Sequence, residues 1–267
     1  MQKYFCGQYY KCQSDTQTLA VIPARHGDTQ SVQLICDDGA WNYSGEPDKN
    51  SFSRDGIELN MQSDGLSAVG KLCFGELMPI KYDIMGPFKY VPFMQCRHSV
   101  ISMKHSVNGE IRINGKDYVF RNGEGYIEGD RGYSFPKEYA WTQSFFDGGS
   151  LMLSAADIPF AGFHFTGVIG VIVLHGKEYR LATYLGARVV KTADGEVVIR
   201  QGDYTFSARL VEKKPLPLLA PVCGSMVRTI RESAACKAEY LFQKSGETLL
   251  QFETNRASFE FEYGENE

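Results

Sequence analysis

The chain has 267 residues, enough for one large β-barrel or sandwich or for two domains of common size. Its 28 basic residues are outnumbered by 32 acidic ones, so the net charge is −4 and the long-range attraction needed for nucleic acid or an anionic membrane is absent. The longest apolar run, residues 167–174, is too short to cross a bilayer, and residues 1–4 open without the apolar core of a signal peptide. We therefore expect a cytoplasmic protein with no transmembrane segment and no nucleic-acid partner.

Short apolar or alternating stretches recur along the chain between turn signals. Asn-Gly and Asp-Gly dipeptides separate many of them, and these dipeptides favour the positive φ angles of tight hairpin turns. Successive strands should therefore be antiparallel neighbours, and the chain is predicted to be all-β. The predicted strands cover residues 18–24, 31–36, 57–61, 109–113, 151–155, 168–174, 179–185, 197–200, 204–211, 248–252 and 258–263.

Three segments depart from this pattern. Residues 78–92 and 213–221 are rich in proline, which cannot donate to a strand ladder, so we predict crossing loops or strand edges there. Residues 226–241 carry apolar side chains at helical spacing, which leaves one helix as an alternative. The β-rich stretches on either side of about Arg121 are similar in length, and this predicts two β domains, residues 1–121 and 122–267.

Residues 124–130 place acidic and phenolic side chains at alternate positions. In a strand these side chains share one face, because successive side chains point to opposite sides. Crowded carboxylates disfavour one another's ionised forms and burial raises a carboxyl pKa further, so such a face can hold a protonated acid near neutral pH. The alternative is a solvated acidic face, the usual situation for acids. The residues concerned are Glu124, Tyr126, Glu128 and Asp130.

A second alternating stretch combines aromatic rings with one amide. Its side chains Tyr139, Trp141, Gln143 and Phe145 would share one face of a strand. Rings interleaved with an amide suit a cavity for a large apolar ligand with a polar head, and a barrel core containing one hydrogen-bonded glutamine is the alternative.

The histidines and cysteines give no metal or nucleophile signal. His98 and His105 are seven residues apart and would lie on opposite faces of a continuous strand, so no metal is predicted. His164 is interpreted as a core or rim histidine and a reserve acid. Cys96, near His98, has no visible orienting acid. The seven cysteines are scattered without a C-x-x-C pair, and nucleotide-binding motifs are missing, so reduced thiols and no cofactor are expected.

Several motifs together resemble the tocopherol cyclase family. Residues 128–132 (EGDRG), 134–137 (SFPK) and 141–143 (WTQ) are similar to that family's E-K-N/D-W-G, G/S-F-P-K/R and W-x-Q signature. Residues 4–11 (YFCGQYYK) resemble its opening Y-F-E-G-W-Y-F-K. Residues 217–221 (PLLAP) and 231–233 (RES) resemble its P-L-R-A-P and Arg-acid-Ser segments.

The resemblance implies two lipocalin-like β domains, related to hydratases and cyclases of hydrophobic isoprenoids. The implied activity is acid-catalysed ring closure of a prenylated phenol or quinol, in which aromatic faces stabilise the developing cation by ~0.5 to 2 kcal/mol each. A hydrophobic-ligand binding protein without catalysis is the competing interpretation, and a surface interaction module is a third.

The strand-face pattern and the resemblance together assign the candidate site. Glu128 or Asp130 is the expected proton donor. Arg131, Gln8 and Cys6 depart from the family's Trp, Trp and acid, and an arginine beside Glu128 and Asp130 is expected to favour their ionised forms. The expected pocket residues are Tyr126, Tyr133, Trp141, Gln143 and His164.

Overall fold

A computed structural model describes residues 4–44, 49–92, 94–160, 162–212 and 214–263, and strands make up 73% of the chain. The all-β prediction is thereby confirmed. Two short 3₁₀ turns cover Gly86–Tyr90 and Thr183–Leu185, and none of the helices in the described ranges is long and apolar enough to span a membrane. The strands are β1 (Phe5–Gln13), β2 (Thr18–His26), β3 (Thr29–Cys36), β4 (Ala40–Tyr43), β5 (Ser51–Phe52), β6 (Gly56–Ser63), β7 (Leu66–Phe74), β8 (Cys96–Ile113), β9 (Lys116–Gly132), β10 (Tyr139–Phe146), β11 (Gly149–Phe160), β12 (Phe163–Leu174), β13 (Lys177–Ala182), β14 (Arg188–Ala193), β15 (Glu196–Gln201), β16 (Tyr204–Glu212), β17 (Leu216–Val222), β18 (Ser225–Lys244) and β19 (Glu247–Phe261).

The strands form two curled antiparallel sheets, as in lipocalin-like folds. The first has the order β4-β3-β2-β1-β9-β8-β7-β6-β5. The second has the order β13-β12-β11-β10-β19-β18-β16-β15-β14, with β17 paired to β18. Tight turns connect neighbours: Asn114 and Asp194 adopt φ angles of 48° and 55°, and each precedes a glycine that also has positive φ. Here the Asn-Gly and Asp-Gly signals predict the hairpins correctly.

The chain divides into two compact units. One comprises Met1–Lys81, Cys96–Ser134 and Leu218–Thr229, and the other comprises Tyr82–Gln95, Phe135–Pro217 and Ile230–Glu267. The expected boundary at Arg121 falls inside β9, which pairs with both β1 and β8 up to Gly132. The first unit therefore continues to Ser134.

In the first unit one face of the sheet packs a hydrophobic core. Tyr10 and Cys12 of β1 and Ile127 of β9 belong to this core. Side-chain alternation therefore puts Tyr126 and Glu128 on the other face. We call these two sides of the first sheet the core face and the reverse face.

Residues 226–241 lie within strand β18 rather than a helix. Ala238, Tyr240 and Phe242 are buried at alternate positions, which is the period of a strand, whereas Val227 is 66% exposed and does not join an apolar stripe. Of the two proline-rich segments, residues 78–92 contain no strand. Residues 216–221 of the other segment belong to β17, which lies off the main path of its sheet.

One buried histidine lies on the core face of the first sheet. His105 is the cross-strand neighbour of Gly125, and a Cβ at residue 125 would lie 2.2 Å from the His105 Nε2 atom. The ring centroid is 4.7 Å from that of Phe74, and Nδ1 lies 3.0 Å from the Ser102 hydroxyl. Burial lowers the pKa of His105 to about 4.

The His105 environment predicts acid sensitivity. Because the pKa of His105 in the folded chain is below the unfolded value of about 6.5, the unfolded chain binds the proton more readily and stability falls as the pH falls from about 6.5 towards 4. Between pH 7 and 5, urea unfolding of the wild type should lose about 2 kcal/mol more than that of His105→Gln. An equal loss in both proteins would contradict this assignment.

Candidate active site

The acidic residues of β9 are buried or half-buried and do not form a solvated row. Glu128 is 4% exposed and Tyr126 is fully buried, and the Tyr126 hydroxyl donates a hydrogen bond of 2.5 Å to Glu128 Oε2. Glu124, farther along the same face, is half-buried and pairs with Lys104. The shared face predicted for these side chains is thus present, and its far end is occupied by an ordinary ion pair.

His98 on the adjacent strand β8 bridges the two remaining acids. Its Nδ1 atom lies 2.9 Å from Asp130 Oδ1, and its Nε2 atom lies 3.2 Å from Glu128 Oε2. His98 lies opposite Asp130 because the pairing of β8 with β9 shifts register at three places. The shifts fall between Val100 and Ser102, between Ser102 and His105, and between Val107 and Gly109. The imidazole therefore spans both carboxylates. Sequence reasoning missed this residue as a partner of the acids, although it correctly separated the faces of His98 and His105.

The charges of this cluster fix the protonation of its members. Burial alone would lower the pKa of His98, but the negative charges of Glu128 and Asp130 outweigh burial and raise that pKa well above its usual value. At neutral pH His98 is therefore an imidazolium that donates a hydrogen bond to Asp130 through Nδ1 and forms an ion pair with Glu128 through Nε2. Burial, and then the charge of Glu128, raise the pKa of Tyr126, so the phenol keeps its proton.

Cys96 adjoins the same cluster without acting as a nucleophile. Its Sγ atom lies 3.5 Å from Asp130 Oδ1. Burial, followed by the charge of Asp130, raises the thiol pKa well above its usual value. The thiol therefore stays protonated, although the structure places an acid beside it that the sequence did not reveal.

The cluster also has the composition of a possible cation site. Ligand atoms of His98, Glu128 and Asp130 lie within 4.8 Å of one another. Each imidazole nitrogen, however, faces a different carboxylate. A metal-bound histidine has to give up the proton on one nitrogen, whereas this geometry stabilises both protons. The arrangement fits a proton-binding site better than a metal site.

Arg131 does not take the position expected for it. It is exposed, and its cross-strand neighbours are Cys6 and Arg97. Alternation puts these residues on the core face, away from Glu128 and Asp130 on the reverse face. The basic side chain that contacts the two carboxylates is His98, not Arg131.

The aromatic strand β10 in the second unit has the predicted alternation. Tyr139, Trp141, Gln143 and Phe145 are all buried, while Ala140 between them belongs to the core of that unit. The Tyr139 hydroxyl donates a hydrogen bond to Glu260.

The Gln143 carboxamide is fully buried, and neither its oxygen nor its nitrogen has a hydrogen-bond partner within the described part of the chain. Buried amides without a partner are uncommon, because desolvation is then uncompensated. The alternative of a glutamine satisfied within a barrel core is therefore not what the structure shows.

Two other expected pocket residues lie in different surroundings. His164 has a side chain that is 64% exposed and pairs with Asp157, with 2.6 Å between Nδ1 and Oδ2. Tyr133 is half-buried and contacts the Tyr4 ring edge-on at 5.4 Å. Neither contact involves the carboxylates of the cluster.

No family model and no curated protein matches this sequence. Solved structures do match across nearly the whole chain. CghA with Sch210972 has a TM-score of 0.64 at 10% identity and covers 100% of this chain and 90% of its own. Kievitone hydratase from Nectria haematococca gives 0.53 at 10% identity, with 97% and 88% coverage. A protein described as AttH from Nitrosomonas europaea gives 0.51 at 11% identity, with 99% and 93% coverage. At these identities the likeness shows a shared fold.

The bridging geometry predicts a measurable proton on His98. We expect its imidazole to keep both protons at neutral pH, because its pKa is raised well above the ordinary histidine value. Asp130→Asn should lower the pKa of His98, because one of the two stabilising charges is removed. Two-dimensional ¹H–¹⁵N spectra of histidine-labelled protein read the state of each ring nitrogen directly, and a neutral His98 at pH 7 would refute the description.

Proposed function

We propose that the chain is an acid-catalysed isomerase of the tocopherol cyclase type, which closes a ring on a prenylated phenol or a related isoprenoid. The observation that carries this proposal is the buried cluster of Tyr126, Glu128, His98 and Asp130. Protonation of an isolated double bond needs a proton donor shielded from water, and such a cluster supplies one. The sequence resemblance and the shared fold support the same class of reaction.

The proposed reaction transfers one proton and leaves the redox state unchanged. A proton adds to one carbon of the prenyl double bond, and the π electrons form the new C–H bond, leaving a tertiary cation. The phenol oxygen then forms a C–O bond to the cation and loses its own proton to the cluster. The product has the mass of the substrate. Aromatic rings near the cation lower its energy through their π faces.

The residues of the cluster have distinct roles in this proposal. Glu128 or Asp130 is the proton donor, and His98 is the reservoir from which that acid is protonated. Transfer from the imidazolium to a carboxylate leaves the total charge of the cluster unchanged, so the step needs no new counter-ion in a buried site. Tyr126 orients Glu128 through its hydrogen bond. No metal or cofactor is required.

Water can replace the phenol as the nucleophile. Kievitone hydratase, which shares the fold, is named for a hydration. Addition of water to the same cation would give a tertiary alcohol and return a proton to the cluster. Hydration of a hydrophobic substrate is therefore the neighbouring outcome within the proposed reaction class.

Binding of a hydrophobic molecule without catalysis is the competing function. The buried face of Trp141, Gln143 and Phe145 favours it, since a ligand with a polar head would suit the unpaired amide. In that case the acid cluster would be structural. The two functions share a small hydrophobic molecule as their partner.

Product mass separates these possibilities. Incubation with a prenylated hydroquinone should give a ring-closed product of unchanged mass, recognised by chromatographic retention and fragmentation. A product heavier by one water indicates hydration, and tight retention of the unaltered compound indicates a binding protein. Absence of both turnover and retention would overturn the proposed substrate class.

Substitution of the cluster tests the acid. Glu128→Gln, Asp130→Asn or His98→Asn should reduce turnover by about 10²- to 10⁴-fold, the range for loss of a general acid, while ligand retention persists. The matched control is Asp157→Asn, which removes a carboxylate that pairs with an exposed histidine and should leave turnover within about threefold, as expected for a surface ion pair. Unfolding of the cluster variants in circular dichroism would instead assign these residues a structural role.

A further inference from the structure

A row of basic side chains crosses four adjacent strands of the first sheet. The register pairs Arg25 of β2 with Cys6 of β1, Cys6 with Arg131 of β9, and Arg131 with Arg97 of β8. Directly paired side chains in an antiparallel sheet point to the same face, with Cβ atoms about 5 Å apart. Three arginines thus lie within about 15 Å, since neighbouring strands are about 4.8 Å apart. We call these four residues the arginine row.

The arginine row lies on the core face but beyond the end of the core. Cys6 is an even number of residues from Tyr10, and Arg131 is an even number from Ile127, so both share the face of these core residues. Cys6, Arg25 and Arg131 are nevertheless exposed, and Arg97 is half-buried. The row is therefore open to solvent at one end of the sheet, on the face opposite to Glu128 and Asp130.

Two arginines of the row, Arg25 and Arg131, are not balanced in the usual way for this chain. Neither Arg25 nor Arg131 forms an ion pair with any residue that the structure describes. Like charges on directly paired residues destabilise a sheet. Other exposed basic side chains face an acid on the neighbouring strand, as in the pairs Lys71 and Glu58, Arg112 and Asp117, and Arg209 and Glu239.

A second arginine pair shows what is distinctive about the row. Arg188 and Arg200 are neighbours on β14 and β15, and both are exposed. That pair ends there, because Arg200 is followed across the sheet by Thr205. The arginine row brings a third guanidinium into the same line and places a small side chain, Cys6, at its middle.

We propose that the arginine row is a binding site for an oxyanion, a carboxylate or a phosphate, presented by a small molecule. Guanidinium groups bind these anions through paired N–H donors, and an anion between them removes their mutual repulsion. The proposal does not depend on the acid cluster, because the two sites use opposite faces of β9. Loss of one leaves the other measurable.

Cys6 provides a local probe of the site. The test compares the labelling rates of an anionic thiol reagent, 5,5′-dithiobis(2-nitrobenzoate), and a neutral one, 4,4′-dithiodipyridine. The ratio of the anionic rate to the neutral rate should be larger at Cys6 than at Cys73. Cys73 is an exposed cysteine on the same sheet and serves as the internal control. The rate ratio at Cys6 should exceed the rate ratio at Cys73 by about 10-fold or more, which is the lower end of the rate increase that electrostatic steering gives. Peptide mass mapping separates the labelled thiols. Equal ratios at Cys6 and Cys73 would overturn the proposal.

Ligand protection then distinguishes the source of the anion. Inorganic phosphate and octanoate should each slow labelling of Cys6, while octanol at the same concentration should not. Stronger protection by octanoate indicates a carboxylate on an apolar chain, and stronger protection by phosphate indicates a free or phosphorylated ligand. Protection by octanol equal to that by octanoate would show that the anion is not recognised.

Matched variants locate the effect. Arg131→Gln should abolish the reagent preference and the protection, whereas Arg200→Gln should leave both unchanged. At low ionic strength Arg131→Gln should also raise Tm by about 1 to 3 °C, because repulsion in the row is relieved. Protection that survives in Arg131→Gln would place the anion elsewhere and refute the assignment.

Discussion

The register between β8 and β9 is the constraint on which the candidate site depends. At the turn, Ile113 pairs with Lys116, and an uninterrupted ladder counted back from there would bring His98 opposite Arg131 on the core face. Three register shifts between β8 and β9 change the pairing by a net one residue, and His98 lies opposite Asp130 instead. Since side chains alternate, this net shift of one residue moves the imidazole to the face that carries the acids. The same step brings Arg97 opposite Arg131, so both candidate sites result from it.

The acid cluster is stable only as a whole. Two buried carboxylates would repel each other strongly, and a buried imidazolium alone would lack compensation for its lost hydration. Placed together, the cation offsets the repulsion, and the Tyr126 hydroxyl satisfies a further acceptor on Glu128. Transfer of a proton between such groups leaves the total charge of the cluster unchanged. This property is what acid catalysis in a dry site requires.

Much of the fold could be predicted from local patterns, while the site could be predicted only in part. Alternation along residues 124–130 and the Asn114-Gly115 turn are local features, and the structure contains both. The partner of the acids, His98, depends on bulges that leave no clear signature in one sequence. The helical spacing of Val227 and Ile230 is equally compatible with a strand whose outer positions are exposed. The exposure of His164 depends on tertiary packing, which periodicity does not report.

The division into units has a consequence for synthesis of the chain. Segment Leu218–Thr229 belongs to the first unit but follows most of the second, so the first unit is incomplete when the ribosome reaches Ser134. A further 95 residues, from 134 to 229, must be translated before its last segment exists. At ordinary elongation rates this delay is about 5 to 20 s, long compared with the folding of a small β domain. All nine strands of the first sheet have been translated by Gly132, so Leu218–Thr229 must join a unit whose sheet can already have paired. No single cut of the chain yields both units as continuous polypeptides.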